Sequence, residues 1–407
     1  MRRRLWLLAA LAALLIGGSL ASASGTDAAR ARAEPTDYFS EGEIQRAERY
    51  RSTRYVLGFS ALGLSIGAAA LLGLGLGSRA LGAWSAGVTG RWWLQAPLLA
   101  AVVILIPVLA KLPLSMAAHR HDRAFGLATN SLAGHLSDVA KASGFELVIG
   151  GVTALAFIGV ARWLPRGWPA VAIAGGIVLT FALVYLFPIV YEPAFNTFRP
   201  VSDPVRERVL RLADRAGVEV REVLVADASR RTTRKNAYVS GIGSSKRVVL
   251  YDTLLAGTPP DQVDFVVAHE LAHDANNDVL KGAAYASAGV LVGIIALWWL
   301  FSLTSLTRWL GVAGPGDPRA VPFLALFIAA ATLVTMPAVN AISRSIEARA
   351  DREAIALTAD PQAAIDLHVT LAKDNLSDVT PNGFVVWAFF THPPVLDRIE
   401  HALEAPS

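Results

Sequence analysis

The chain has 407 residues, of which 54% are apolar and only 17% are charged, and its mean hydropathy is +0.44. This composition is typical of an integral membrane protein and argues against a soluble globular domain. The net charge of +4 is small for this length and gives no support to nucleic-acid binding. The absence of cysteine excludes disulfides, thiolate metal sites and a cysteine nucleophile. The preference for Arg over Lys and the abundance of Ala favour a GC-rich bacterial source.

Apolar segments in the chain are each close to the length of about 20 residues that a bilayer core requires. There are seven: Leu5–Ser22, Tyr55–Gly77, Trp92–Ala110, Leu147–Ala161, Trp168–Val190, Gly282–Leu306 and Ala320–Ile342. Several tryptophans lie near the segment ends, as in the aromatic belts of membrane proteins. The sequence therefore predicts a predominantly α-helical, polytopic protein with about seven transmembrane helices in a lipid bilayer.

Two of these segments have alternative interpretations. "MRRR", the first apolar run and "ASASG" are typical of a signal peptide cleaved near Ala21–Ala23, and an uncleaved transmembrane helix fits equally well. The glycine-rich "GLSIGAAALLGLGLG" predicts close helix–helix approach, with loose packing and a frayed helix end as the alternative.

The largest hydrophilic block spans residues 191–281. A helix pattern, "DPVRERVLRLADRAG", precedes three strand-like runs, "EVLVAD", "NAYVSGI" and "RVVLYDTLL". The last two runs are separated by "GSSK" and predict a hairpin, so we expect a small antiparallel sheet. "TPPDQVDFVVAHELAH" then predicts a helix with Thr258 as its N-cap.

The stretch "FVVAHELAHDANND" contains H-E-x-x-H. His269 and His273 are four residues apart, so on a helix both imidazoles face one side and can bind one tetrahedral Zn²⁺. Glu270 lies beside the metal position, where its carboxylate could take a proton from a zinc-bound water. The alternative is a core helix whose histidines bond to backbone carbonyls.

A catalytic zinc site needs a third protein ligand, and without cysteine this must be His, Asp or Glu. "NAISRSIEARADREAIAL" offers Glu347, with Asp351 one turn later as a carboxylate that could orient a ligating imidazole. On pattern alone, a solvated helix with mixed charges is the favoured interpretation of this stretch.

Five motifs occur in an order that resembles the membrane-integral zinc metalloendopeptidases of the type I CAAX prenyl protease family, relatives of the heat-shock-induced bacterial membrane proteases. The motifs are "YFSEGEIQRAERYRSTRY", "NAYVSGIGSSKRVVLYDTLL", "VVAHELAH", "SRSIEARADREA", and "DNLSDVTPNG" followed by "THPPVLDRIEHAL". The resemblance extends from about residue 38 to residue 404. It implies a zincin-like α+β catalytic domain, an intramembrane chamber between the spans and one Zn²⁺ per chain. It also implies that Glu347 is the third zinc ligand and Asp351 the second acid of its motif.

The same resemblance implies roles for residues that sequence patterns alone do not assign. His392 matches a residue expected near the substrate carbonyl, where an imidazole could stabilise an oxyanion, although a lone His before Pro-Pro is more often a turn residue. Arg398 could support substrate there, and a structural ion pair is an equal alternative. Asn236, Ala237 and Tyr238 match a segment that binds peptide as an added strand, and an ordinary strand start is the alternative.

The predicted organisation is a first apolar segment at 1–23, a membrane region of the CAAX protease type at 24–190, and a metallopeptidase domain at 191–407. That domain includes two transmembrane helices, about 282–306 and 320–342. The predicted function is hydrolysis of peptide bonds, in peptide or membrane-protein substrates, at or within the membrane boundary. A catalytically inactive scaffold or a transporter is the alternative. The sequence leaves open the physiological substrate, its prenylation and the oligomeric state.

The sequence contains only weak signals for the side of the membrane on which the site lies. Basic residues in the short loops do not decide the orientation. "MRRR" favours a cytoplasmic amino terminus and an external site, whereas the family resemblance favours a cytoplasmic site. We expect a multi-pass protein of a bacterial cell membrane with its catalytic face in the cytoplasm.

Overall fold

The computed structural model describes residues 33–241 and 246–405. Its helices are α1 (Pro35–Tyr38), α2 (Glu41–Gly73), α3 (Gly75–Val88), α4 (Trp92–Ala124), α5 (Leu132–Trp163), α6 (Trp168–Leu186), α7 (Glu192–Phe195), α8 (Asp203–Arg215), α9 (Asp252–Leu255), α10 (Pro260–Ala275), α11 (Asp278–Phe301), α12 (Thr304–Leu310), α13 (Val321–Thr358), α14 (Pro361–Asp374), α15 (Gly383–Phe389) and α16 (Val395–Leu403). Its strands are β1 (Phe198–Pro200), β2 (Glu222–Ala226), β3 (Ala237–Ser240) and β4 (Arg247–Tyr251). A π turn, Phe187–Tyr191, joins α6 to α7.

Six helical stretches within the described ranges are long and apolar enough to cross a membrane. They are Glu41–Gly73, Trp92–Ala124, Leu132–Trp163, Trp168–Phe195, Asp278–Phe301 and Pro318–Thr358. These stretches coincide with six of the seven predicted segments, which confirms the multi-pass architecture. The remaining segment, Leu5–Ser22, lies outside the described residues. Several helices extend well beyond the apolar stretch, so the membrane spans continue as helices into the polar part of the protein.

The buried side chains form two main cores. One core lies at the ends of the membrane spans that are farther from His269 and His273. It includes Leu99, Ile158, Trp168 and Phe301. The other joins α8, the sheet, α10, α14 and α16, with Val248, Leu250 and Phe265 among its buried members. Between the two cores, few residues of the spans are buried. In the most apolar part of Trp168–Phe195, no residue is buried. These surfaces face either lipid or an internal space, and the intramembrane chamber stays a prediction.

The sheet is mixed, so the expectation of a purely antiparallel sheet is wrong. Its strand order is β1-β2-β4-β3, with β2 and β4 parallel and both outer pairs antiparallel. The predicted hairpin pairing of β3 with β4 is confirmed, with Ala237 opposite Leu250 and Ser240 opposite Arg247. The consecutive apolar residues of β4 are all buried, as expected for a central strand covered on both faces. Such a strand takes a partner on each side, and the second partner here is the parallel β2.

The predicted N-cap of α10 is also wrong by one residue. Pro259 occupies the cap position, and the buried Thr258 hydroxyl has no hydrogen-bond partner. The cause is the Pro259–Pro260 pair, because helical geometry is disfavoured for a residue that precedes proline. Pro259 accordingly has a ψ of 146° and stays outside the helix, which begins at Pro260.

The glycine-rich stretch of α2 approaches another helix only at its end. A Cβ added at Gly73 would lie 2.7 Å from the Pro322 carbonyl oxygen and 2.7 Å from Leu326 Cβ, whereas a Cβ at Gly67 would meet nothing within 4 Å. Close approach is therefore confirmed at the α2–α13 contact, and it depends on the missing side chain of Gly73.

We expect Gly73→Ala to destabilise the protein by about 1–3 kcal/mol, because the added methyl must displace the backbone of α13. Gly67→Ala on the same helix is the matched control and should be neutral or slightly stabilising. Thermal unfolding of the two variants in detergent measures the difference. Equal unfolding temperatures would show that the α2–α13 contact is loose.

Candidate functional site

The packing of α10 against α13 brings three predicted ligands together. His269 and His273 lie one turn apart on α10, with 3.2 Å between their Nε2 atoms. The carboxylate of Glu347 on α13 faces both, with 3.2 Å from Oε2 to His269 Nε2 and 3.6 Å from Oε1 to His273 Nε2. One ligand atom from each residue falls within 4.8 Å of the others, so this group could hold a metal ion.

These distances fit a tetrahedral zinc site. Zinc–nitrogen and zinc–oxygen bonds of about 2.0–2.1 Å place neighbouring ligand atoms roughly 3.3 Å apart. The buried Glu347 Oε2 has no well-aligned hydrogen-bond partner among the described residues. A buried carboxylate oxygen without a donor is costly in free energy, and a bound cation would remove that cost.

His269 is held from behind by Asp351, the contact predicted from the sequence. Its Nδ1 lies 2.9 Å from Asp351 Oδ1, which directs Nε2 towards Glu347. Arg398 donates two hydrogen bonds to the same carboxylate, at 2.7 and 2.6 Å. Of the two roles left open for Arg398, the structure contains the ion pair, and substrate binding stays a prediction.

The electrostatics of this group favour positive charge at His269. Burial by itself lowers the pKa of His269, but the neighbouring carboxylates of Asp351 and Glu347 outweigh it and raise the pKa to about 9. The surroundings therefore stabilise a cation at this position, whether a proton or a metal ion.

His273 has an equivalent support that the sequence patterns did not reveal. Its Nδ1 lies 3.0 Å from Asp278 Oδ2, and Arg349 of α13 donates a hydrogen bond to that same oxygen. Asp278 is the first residue of α11, and it reaches His273 because Asn277 adopts the left-handed conformation with φ 53°. The sequence signal was the pair Asn276–Asn277, since asparagine tolerates that conformation.

A further histidine lies behind Asp351. His368 of α14 is buried, with Nε2 3.9 Å from Asp351 Oδ1 and its ring edge-to-face with Phe265. Burial, followed by the charge of Arg398, lowers the pKa of His368 to about 3, so this imidazole is neutral. An isolated histidine on an amphipathic helix carries no distinguishing pattern, so the sequence alone does not indicate this position.

Glu270 lies next to the ligand group and next to the sheet. The backbone amide of Val239 in β3 faces its carboxylate and favours the ionised form. Burial is the largest influence on Glu270 and raises its pKa, with the nearby His269 and His273 acting in the opposite direction.

Strand β3 is an outer strand, and its backbone groups alternate between β4 and the free edge. The Tyr251 amide donates to the Asn236 carbonyl, so Asn236, Tyr238 and Ser240 direct their backbone groups towards β4. The amides and carbonyls of Ala237 and Val239 consequently point to the free edge, the side on which Glu270 lies.

His392 reaches the group from the loop before α16. Its Nε2 is 3.3 Å from Glu347 Oε2, its Nδ1 is 2.9 Å from the Thr391 hydroxyl, and its side chain is 56% exposed. Partial burial of the ring lowers the pKa of His392 more than the charge of Glu347 raises it, so the ring is neutral near pH 7. A neutral imidazole can donate one hydrogen bond to a group bound in front of Glu347.

Together, the fold and this group of side chains define a class: polytopic membrane proteins with a His-His-Glu group able to hold a metal at the end of the spans. Comparison with known proteins identifies the family. The model of peptidase family M48 matches residues 202–405, and the model described as CAAX prenyl protease N-terminal, five membrane helices, matches residues 28–197. The chain belongs to peptidase family M48 and is a membrane metalloprotease by family.

Individual relatives agree with this assignment. An uncharacterized metalloprotease of Bacillus subtilis, YhfN, is 28% identical over 91% of this chain and 88% of its own length. A CAAX prenyl protease 1 homolog of Oryza sativa is 29% identical over 56% of this chain and 54% of its own length. The crystal structure of S. mikatae Ste24p superposes with a TM-score of 0.81 over 98% of both chains at 20% identity, which shows the same fold.

We expect Asp278→Ala to weaken zinc binding by about 10- to 100-fold, because His273 would lose the carboxylate that orients its ring. Asp278→Asn, which keeps an oxygen acceptor for Nδ1, should retain most of the affinity. Asp274→Ala is the matched control, since Asp274 pairs with Lys246 on the same side of the molecule. Competition with a chromophoric chelator measures the affinity, and identical values for Asp278→Ala and wild type would contradict an orienting role.

Proposed function

We propose that this protein is a zinc-dependent endopeptidase that hydrolyses peptide bonds at the membrane boundary. The observation that carries the proposal is the convergence of His269, His273 and Glu347 at tetrahedral ligand spacing beside Glu270. The boundary position is supported by connectivity: α11, a candidate span, begins three residues after α10 ends, and Glu347 lies on the same helix as another span.

His269, His273 and Glu347 would hold one Zn²⁺ and leave a fourth position open. Zinc, when bound there, supplies a Lewis acid that polarises the peptide carbonyl and increases the acidity of water. Asp351 and Asp278 would keep the two imidazoles in the tautomer that presents Nε2 to the metal.

Glu270 would accept the proton of the attacking water and return it to the leaving amine. Burial supports this role, because a carboxylate whose pKa is raised towards neutrality can both take up and release a proton. His392 would donate a hydrogen bond to the developing oxyanion, since its lowered pKa leaves a neutral ring with one N–H.

The substrate would bind in extended form along β3. The outward backbone groups of Ala237 and Val239 offer the hydrogen bonds of an added strand, and this edge passes directly beside Glu270. Such binding uses the peptide backbone, so it suits peptides and unfolded segments of membrane proteins of varied sequence. The inactive scaffold and the transporter gain no support from the comparisons. The cytoplasmic orientation of the site stays a prediction.

We expect the detergent-purified protein to hold about one zinc and to cleave an unstructured, quenched-fluorescence peptide. Glu270→Gln should hold zinc but lose hydrolysis by several orders of magnitude, because the proton acceptor is gone. His269→Ala should lose both zinc and hydrolysis. Asp261→Asn, at an exposed position of the same helix, is the control and should resemble wild type. A wild type without zinc, or a Glu270→Gln variant with wild-type activity, would refute the proposal.

We expect His392→Ala to lower kcat by about 10²- to 10³-fold while zinc content is unchanged, because one oxyanion donor is removed. Thr391→Val, which removes only the partner of Nδ1, should have a smaller effect in the same direction. Steady-state kinetics with the same peptide measures both. Loss of zinc from His392→Ala would indicate that the residue supports the metal and not the oxyanion.

A further inference from the structure

A buried carboxylate lies at the end of the span Trp168–Phe195. Glu192 is only 4% exposed and directly follows the π turn. A charged group in such a position requires partners, and ionisable residues at membrane helices mark functional sites by default. π turns are likewise concentrated at functional positions of helices.

The first partner is Arg247 of β4, and the π turn explains why it is needed. In the turn the Glu192 amide donates to the Phe187 carbonyl, five residues back. The next donor would be Pro193, which has no N–H, so the Pro188 carbonyl is left without a helical partner. Arg247 donates to this carbonyl at 2.5 Å and to Glu192 Oε2 at 2.7 Å, with its guanidinium over the Phe198 ring.

The second set of partners lies on β3. The Ser240 hydroxyl donates to Glu192 Oε1 at 2.6 Å, and Tyr238 is close enough for its hydroxyl to be influenced by the Glu192 charge. Burial, followed by the charge of Glu192, raises the pKa of Tyr238, so its hydroxyl remains a donor. Ser240 and Arg247 are paired across the two strands, so one carboxylate holds the last residue pair of the hairpin.

This arrangement fixes the free edge of β3. Tyr238 and Ser240 lie on one face of the strand, because side chains alternate. Val239 lies between them, and its amide points outward to Glu270. Any shift of β3 relative to the π turn at the end of α6 would have to break the bonds of Glu192 to Ser240 or Arg247.

We propose that Glu192 is a positioning residue for substrate. It connects β3 to the membrane helix α6 through the π turn, and so fixes the position of the Ala237–Val239 edge relative to Glu270. The inference rests on the proposed function. Glu192 is too buried to touch peptide itself, so its effect is on how well an extended peptide is bound and aligned. The zinc ligands belong to α10 and α13 and do not depend on it.

The test compares the detergent-purified full chain with Glu192→Gln and Ser240→Ala, with Glu207→Gln as the control for an exposed carboxylate on α8. We expect Glu192→Gln to raise KM for the quenched-fluorescence peptide about tenfold or more, because hydrogen bonds to a charged group are lost. Ser240→Ala, a milder change that keeps the ion pair, should raise KM a few-fold. Zinc content, kcat and the inhibition constant of a small hydroxamate should change less than twofold, since a small chelator does not use the strand edge.

An unchanged KM in Glu192→Gln would overturn the inference. So would a parallel loss of zinc, kcat and hydroxamate binding, which a purely structural role predicts. Anisotropy of a labelled peptide separates this inference from the proposed function. If the wild type binds peptide but cleaves none, the proposed function fails; weaker peptide binding by Glu192→Gln then still supports the positioning role, and equal binding refutes it.

Discussion

The Asp351 carboxylate is the interaction on which the geometry of the site depends. It is 1% exposed and joins three helices, because it contacts His269 of α10 and Arg398 of α16 from its own position on α13. Removing one member of such a buried ion pair typically costs about 3–5 kcal/mol, since the remaining charge is left without a partner. The helices are therefore held in the one arrangement that satisfies this carboxylate, and Glu347, one turn earlier on α13, is brought to the histidine pair.

A second constraint is that the same helices both cross the membrane and carry residues of the site. α13 carries an apolar span and, on its polar extension, Glu347, Arg349 and Asp351. Each imidazole of α10 is backed by a carboxylate, and each carboxylate is backed by an arginine: His269–Asp351–Arg398 and His273–Asp278–Arg349. The arginines offset the negative charge of the acids, so a compact group of carboxylates can persist next to the bilayer. Glu192 is a further buried carboxylate paired with an arginine, and it connects a third span, Trp168–Phe195, to β3.

Local pattern predicted well those features whose physical cause is local. The spans follow from apolar length, and the histidine pair follows from helical periodicity. The errors arose where the partner is distant or the backbone is unusual. Local spacing gave no sign that β4 would take β2 as a parallel partner, and the Pro259–Pro260 pair displaced the expected cap. Glu347 looked like one charge among many on a solvated helix, because its role depends on residues about 75 positions away in the chain.

The sequence by itself determined that the protein is a polytopic membrane protein, that one helix presents two imidazoles and a glutamate, and that the candidate third ligand lies at the end of a later span. These follow from hydropathy and periodicity, which act over a few turns. Only the tertiary structure decided that Asp278 and Arg349 support His273, that Arg398 is paired with Asp351, and that Glu192 holds β3. Each of these contacts joins groups from different elements in a buried environment, where charges must find partners that the linear order of residues does not specify.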